Sequence, residues 1–199
     1  MFVGISAALI SALIGIAIGA AAGWFEGPVD AVLMRLTEFF QVLPALLFAM
    51  VVVLLFKPSL MTIAASIGMV SWTGTARLAR AEFLRLKRLE FVEAARGEGA
   101  SDARIVFRVI LPNGLAPLVV SATLAVGSAM LFESGLSFLG LGDPNVVSWG
   151  RMIGQNRGYL LDAWWTVTFP GLALFVTVFS VALLGDGVND ALDPPRMGR

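Results

Sequence analysis

The chain has 199 residues, of which 58% are hydrophobic and only 14% charged, with a mean hydropathy of +0.86; a soluble domain carries nearer a quarter charged residues, so the composition is that of a membrane protein. Acidic and basic residues balance at fourteen each, leaving no net field to draw the chain to nucleic acid. Cysteine and histidine are both absent, which excludes disulfides, thiol nucleophiles, imidazole acid-base chemistry and the usual transition-metal ligands; no metal site and no bound cofactor are expected.

In lipid every backbone amide must be satisfied within its own segment, so long apolar runs read as helices, each needing about 20 residues to cross the hydrocarbon. Five such runs are present in one transmembrane domain over residues 1–199, an all-α membrane fold. The first is Val3 to Gly23. The second runs from about Val32 to Phe56, with Arg35 and Glu38 in an amphipathic opening and Pro44 as a bend, and Lys57-Pro58-Ser59 then makes a tight turn. The third covers about Leu60 to Ala79, the fourth about Leu115 to Phe138 and the fifth about Trp165 to Leu184, with a wetter stretch, Gly140 to Asp162, before the last. In the first run Ser11, Gly15, Gly19 and Gly23 repeat every four residues on one face, a pattern that lets helix backbones approach closely, expected within the chain, with a contact to another subunit as the alternative.

Between the third and fourth runs lies the most informative segment, Arg77 to Arg108, which holds eight of the fourteen Lys and Arg residues. Basic loops remain on the cytoplasmic side. Adding Arg35 and the tail residues Arg196 and Arg199 gives eleven basic residues on that side, against three (Lys57, Arg151, Arg157) on the other, which puts the charged segment and the C-terminus inside and Met1 outside. Arg80 to Leu89 reads as an extension of the third helix, followed by a short helix from about Glu90 to Arg96. Gly99 supplies a left-handed turn that stops it. Ser101 caps a further helix on which Ile105 and Val109, and Val106 and Ile110, recur four apart, and Leu111-Pro112 ends that pattern at the membrane boundary. The loop over about 80–112 is thus a helix-turn-helix across one end of the bundle, shaped to dock in a groove of another protein.

The segment Glu93-Ala94-Ala95-x3-Gly99-x9-Val109-x-Leu111-Pro112 resembles the EAA loop of the permease subunits of ATP-binding-cassette importers, with Val109 in place of the family's Ile. Leu136 to Gly142, then Ser148-Trp149-Gly150, and the ending Leu184 to Pro194 are similar to the second permease subunit of dipeptide, oligopeptide and nickel importers. The resemblance implies a type I importer permease fold lacking the family's usual first helix, through either a start placed downstream or a five-helix form. Asn189 falls where the family commonly has a basic residue. The resemblance further implies a non-catalytic subunit of a prokaryotic cytoplasmic membrane. It would work with a second permease subunit, two ATPase subunits that bind ATP and Mg, and an extracytoplasmic substrate-binding protein. Glu93, Ala94, Ala95, Gly99, Leu111 and Pro112 would couple ATPase closure to alternating access. Peptide is the implied solute, with nickel as the alternative.

Outside the loop, Glu133 lies in the outer half of the fourth run, where a carboxylate facing lipid costs on the order of 3 kcal/mol. It is expected to face protein or water, either along a translocation path or in a structural hydrogen bond. Gly135 to Gly142 has the glycine content of a bent or re-entrant segment, and Trp149, Trp164 and Trp165 suit a headgroup-level belt. Asp143, Arg151, Arg157 and Asp162 read as solvated loop charges, with pairing to a docking binding protein as the alternative. Gly140-Leu141-Gly142-Asp143 also spells the Gly-x-Gly-Asp of intramembrane aspartyl proteases. Those need a second aspartate behind a tyrosine, whereas the single tyrosine, Tyr159, is followed by Leu160. An ion-coupled carrier would need internal repeats and several ionisable groups at mid-membrane, and neither Lys57 nor Lys87 follows a glycine-rich phosphate loop.

Overall fold

A computed structural model describes residues 1–192 of the chain. The tail positions Asp193, Pro194, Arg196 and Arg199 lie outside the described residues. The order is α1 (Phe2–Phe25), α2 (Gly27–Val42), α3 (Ala45–Phe56), α4 (Leu60–Leu86), α5 (Glu90–Gly97), α6 (Asp102–Arg104), a π-helical run Ile105–Ile110, α7 (Leu111–Asn113), α8 (Leu115–Phe138), α9 (Trp149–Asn156), a 3₁₀ turn Arg157–Tyr159, and α10 (Trp165–Leu192).

Three helices, α1, α8 and the Trp165–Val188 part of α10, are each long and apolar enough to cross a membrane. The expected second run is two helices: α2 and α3 meet at 84°. Pro44, which has no N–H and forces the preceding residue out of helical conformation, stands at the break with Leu43 extended at ψ 132. The expected third run differs in kind. Helix α4 has the length of a span at 27 residues but falls short of the others in apolarity, and thirteen of its residues are buried. A helix shielded by its neighbours needs no lipid-compatible surface, so Ser66, Thr73 and Thr75 are tolerated in its buried face; Ser66 donates to the Ile63 carbonyl at 2.8 Å.

The most extensive contact joins α1 and α4, with α8 packed on both, α10 on α8 and α3 on α4. The small-residue stripe of α1 makes that contact: Ser11, Gly15, Gly19 and Gly23 are all buried. A Cβ on Gly15 would stand 2.6 Å from Thr75 Cβ, and one on Gly23 2.7 Å from Phe83 Cβ. Two hydrophobic clusters follow. At the end of the bundle remote from the charged loop, Val3 and Ala7 of α1 meet Val53 of α3, Ile63 and Ile67 of α4, and Leu136 of α8. At the other end Trp24, Phe83, Leu86, Val92, Ile105 and Ile110 form a second core beneath the charged loop.

Candidate functional site

The loop between α4 and α8 is a compact hairpin. Its first arm, α5, ends in a Schellman motif: the Ala100 N–H reaches the Ala95 carbonyl at 3.1 Å, the Gly99 N–H reaches Arg96 at 2.9 Å, and Gly99 sits at φ +80. Ala95 and Ala100 both pack against the underlying core, the apolar contact that accompanies this terminator. The spacing Ala95-x3-Gly99 is therefore that of a helix C-cap, with Ala95 offering the first satisfied carbonyl and Gly99 the left-handed residue.

The second arm departs from the expected register. Ser101 caps it as anticipated, its Oγ accepting from the Arg104 N–H at 3.4 Å. The helix then widens to π geometry over Ile105–Ile110 and passes through Leu111–Asn113 before breaking at Gly114. Pro112 does not end the helix. It cannot donate, and its ring would clash with a carbonyl four residues back; hydrogen bonds running five residues back, as from the Leu111 N–H to Val106, accommodate that gap. The buried pair is accordingly Ile105 and Ile110, five apart and both fully covered, in place of the four-apart pairs read from the sequence.

Of the residues singled out for coupling, Glu93, Ala94, Gly99 and Pro112 are exposed, Ala95 is half-buried, and Leu111 packs inward on the second core. Two aromatic side chains join the outer surface of the hairpin: Phe91 is 41% exposed and Phe107 66%.

What ties this hairpin to the bundle was not read from the sequence. Lys87, one residue past α4, donates to the Trp24 carbonyl at 2.6 Å and to Glu26 at 2.9 Å, while its ammonium stands 5.1 Å from the Trp24 ring centroid. The Arg96 guanidinium of α5 stands 5.3 Å from the same ring. Arg80 grips Asp30 of α2 through two hydrogen bonds of 2.5 and 2.6 Å. The hydrogen bond from Arg80, more than its charge, holds the Asp30 carboxyl below its usual range against the opposing effect of burial; Lys87 does the same for Glu26. A tryptophan closing an apolar run, followed by the acidic residues Glu26 and Asp30, was the available signal.

At the opposite end, α8 runs unbroken to Phe138, so Gly135 is helical and the bend starts later, at Gly140 with φ +86. The charges of this segment are built in. Asp143 Oδ2 accepts the Leu60 N–H at 3.2 Å, adding a carboxylate to the start of α4, and its Oδ1 accepts from Asn145 at 2.9 Å. Arg151 donates to the Pro144 carbonyl at 2.7 Å, and the Arg157 guanidinium stands 5.7 Å from the Phe138 ring. Asp162 is exposed, and its carboxylate, alone of these four side chains, has no partner among the described residues. Asp143 is a helix cap shared between distant segments, its carboxylate bonded to the Leu60 and Asn145 amides and to no second carboxylate among the described residues. Trp164 and Trp165 are exposed, as a belt requires, but Trp149 lines a cavity of about 420 Å³ between the start of α1, α8, α9 and α10. Glu133 lines the same cavity and accepts from the Ser137 hydroxyl at 2.6 Å.

Residues 15–197 match the family described as binding-protein-dependent transport system inner membrane component. A putative peptide transport system permease protein of Brucella suis is 40% identical over 98% of this chain and 66% of its own length. The di/tripeptide transport system permease protein DppC of Pseudomonas aeruginosa is 39% identical over 98% and 64%, and the oligopeptide transport system permease protein OppC of Escherichia coli 43% over 98% and 65%. The chain thus spans just under two thirds of the length of these relatives. Inward-facing structures of the MetNI methionine ABC transporter share the fold, one with a TM-score of 0.75 at 17% identity over 96% of this chain and 91% of that one.

Proposed function

The chain belongs to the family of binding-protein-dependent transport system inner membrane components, and from that premise we propose that it is one transmembrane subunit of an ATP-driven importer of di- or oligopeptides. The relatives named above are peptide permeases, which favours peptide over nickel. In this reading the chain pairs with a second permease subunit in a prokaryotic cytoplasmic membrane. Two ATPase subunits carry ATP and Mg, and an extracytoplasmic binding protein delivers the solute. The hairpin and the C-terminus face the cytosol.

The carrying observation is the construction of the hairpin. Glu93 and Ala94 lie on its open surface with Phe91 and Phe107, while Val92, Ile105 and Ile110 are driven into a core shared with Trp24 of α1 and Phe83 of α4. Burying side chains of that size stabilises each by about 1.5–3 kcal/mol, so the hairpin moves with the ends of α1 and α4 and not as a loose loop. A partner that grips its outer surface therefore levers the two most closely packed helices of the bundle together, which is the mechanical need of alternating access. Glu93 supplies a fixed charge for the partner, Ala94 a low surface for close approach, and Ala95 with Gly99 the turn that presents them. Leu111 anchors the second arm, and Pro112 accompanies its widened turn.

The test is peptide uptake and ATP hydrolysis by the assembled complex in proteoliposomes. Glu93→Ala is expected to leave the subunit inserted while hydrolysis either loses its dependence on binding protein or falls with ATPase recruitment. Normal uptake, recruitment and coupling in that variant would refute the role given to the hairpin. Accessibility of position 93 to a membrane-impermeant label from the exterior alone would refute the orientation.

A further inference from the structure

We propose that the cavity at the end of the bundle remote from the hairpin binds the free ammonium terminus of a peptide in transit, with Glu133 as its anionic partner; the inference rests on the peptide-import reading above. The cavity, about 420 Å³, is half open, and its walls are largely apolar, from Phe2, Met130, Trp149, Met152 and Leu174, with the Glu133 carboxylate among them. That carboxylate accepts from Ser137 at 2.6 Å and Ser134 at 3.5 Å, both on its own helix, and takes part in no salt bridge among the described residues. A carboxylate has about four lone-pair sites, so two hydroxyls leave acceptor capacity, and no cation of the described residues, the Met1 ammonium at the cavity wall included, stands within 4.0 Å of it. An anion kept in an apolar wall without a cation is matched by a cationic occupant.

The remaining lining fits the same occupant. Trp149 presents an aromatic ring, which attracts ammonium groups. Three unbranched, polarizable methionines, Met1, Met130 and Met152, adapt to side chains of varied shape, as a carrier of many peptides requires. A peptide carboxylate would be repelled, so the amino end is the one received. Neither the hairpin nor the small-residue stripe shares these residues, which makes the cavity separable from coupling.

The chain has no cysteine, so Met152→Cys places a single thiol of this subunit at the cavity wall. Its modification by N-ethylmaleimide, read by mass spectrometry on the complete complex in nanodiscs, is followed with increasing trialanine or N-acetyl-trialanine. Trialanine is expected to protect the thiol at concentrations about tenfold lower than the acetylated peptide, the scale of one hydrogen bond to a charged group. Glu133→Gln, of the same shape, removes that difference. Equal protection by the two peptides with Glu133 present, or a preference that survives Glu133→Gln, overturns the proposal, and the first comparison decides even if the variant does not insert. Absence of protection by either peptide in a complex that imports trialanine overturns the ammonium site and leaves import standing. A wild-type complex that imports no peptide overturns the reading beneath it.

Discussion

Gly99→Ala isolates one physical quantity, because a Cβ at position 99 meets nothing within 4 Å while the backbone there is at φ +80. No clash and no lost contact accompany the change; only the cost of holding an L side chain in the left-handed region acts, about 1–2 kcal/mol. That corresponds to a roughly 5- to 30-fold rise in the open population of the turn. The same substitution two residues earlier, Gly97→Ala, also enters open space, but in helical backbone, where it stabilises by a few tenths to about 1 kcal/mol. Hydrogen exchange at the Ala100 amide reads the outcome directly, since that N–H closes the motif on Ala95 at 3.1 Å. Exchange is expected to accelerate about 5- to 30-fold in Gly99→Ala, to hold or slow in Gly97→Ala, and to rise less in Gly99→Asn, because asparagine tolerates the left-handed region. Equal exchange in the two alanine variants would sink the claim that Gly99 is chosen for its backbone. If the hairpin is the coupling element, Gly99→Ala also lowers peptide taken up per ATP hydrolysed.

Gly19→Val drives a side chain into the Ala76 carbonyl and Ala79 of α4, a backbone obstacle that cannot rotate away; a loss of at least about 1–3 kcal/mol is expected in thermal denaturation, whereas Gly74→Ala, which enters open space in helical backbone, is expected to hold or raise stability. The Asp30 carboxyl, whose ordinary pKa is 3.8, is held lower by Arg80. Its contribution is thus complete above 3.8 and is lost as pH falls through the depressed value. Asp30→Asn should cost about 1 kcal/mol near neutrality, allowing for solvent at the partly exposed Arg80, and the gap from wild type should close only below pH 3.8; a gap unchanged in acid would show that the pair contributes nothing. Asp143→Ala removes the carboxylate from the Leu60 N–H, with an expected loss of about 1 kcal/mol. Asp143→Asn keeps an acceptor, loses less and retains uptake; loss of a peptide-cleaving activity in the asparagine variant would instead revive the protease reading.

Helix existence was written in composition. Where lipid is the solvent, an unbroken apolar run has one stable conformation, so α1 and α8 fall within about two residues of their expected limits. Gly99 and Ser101 were legible for a different reason: a left-handed glycine and a hydroxyl cap act on neighbours in sequence. The π-helical register of Ile105–Ile110 was not, because it reflects which side chains fit the core under the hairpin, and four-apart and five-apart pairs are equally available in the sequence. Nor was the true setting of Asp143 and Arg151. Their partners are the Leu60 N–H, 83 residues away, and a loop carbonyl, and a charge in a polar segment looks the same whether it is solvated or bonded.

The sequence by itself determined that the chain is a bundle of membrane helices with a charged helical hairpin of one family's spacing, because hydropathy and local capping depend on residues taken singly or within a turn. Only the tertiary structure decided that the stripe of α1 faces α4, that Lys87 and Arg96 both stand against the Trp24 ring, and that Glu133 opens into a cavity with Trp149. Each of those depends on distances between groups far apart in the chain, which are set by how helices of similar apolarity choose their neighbours, and that choice is made by shape and close packing.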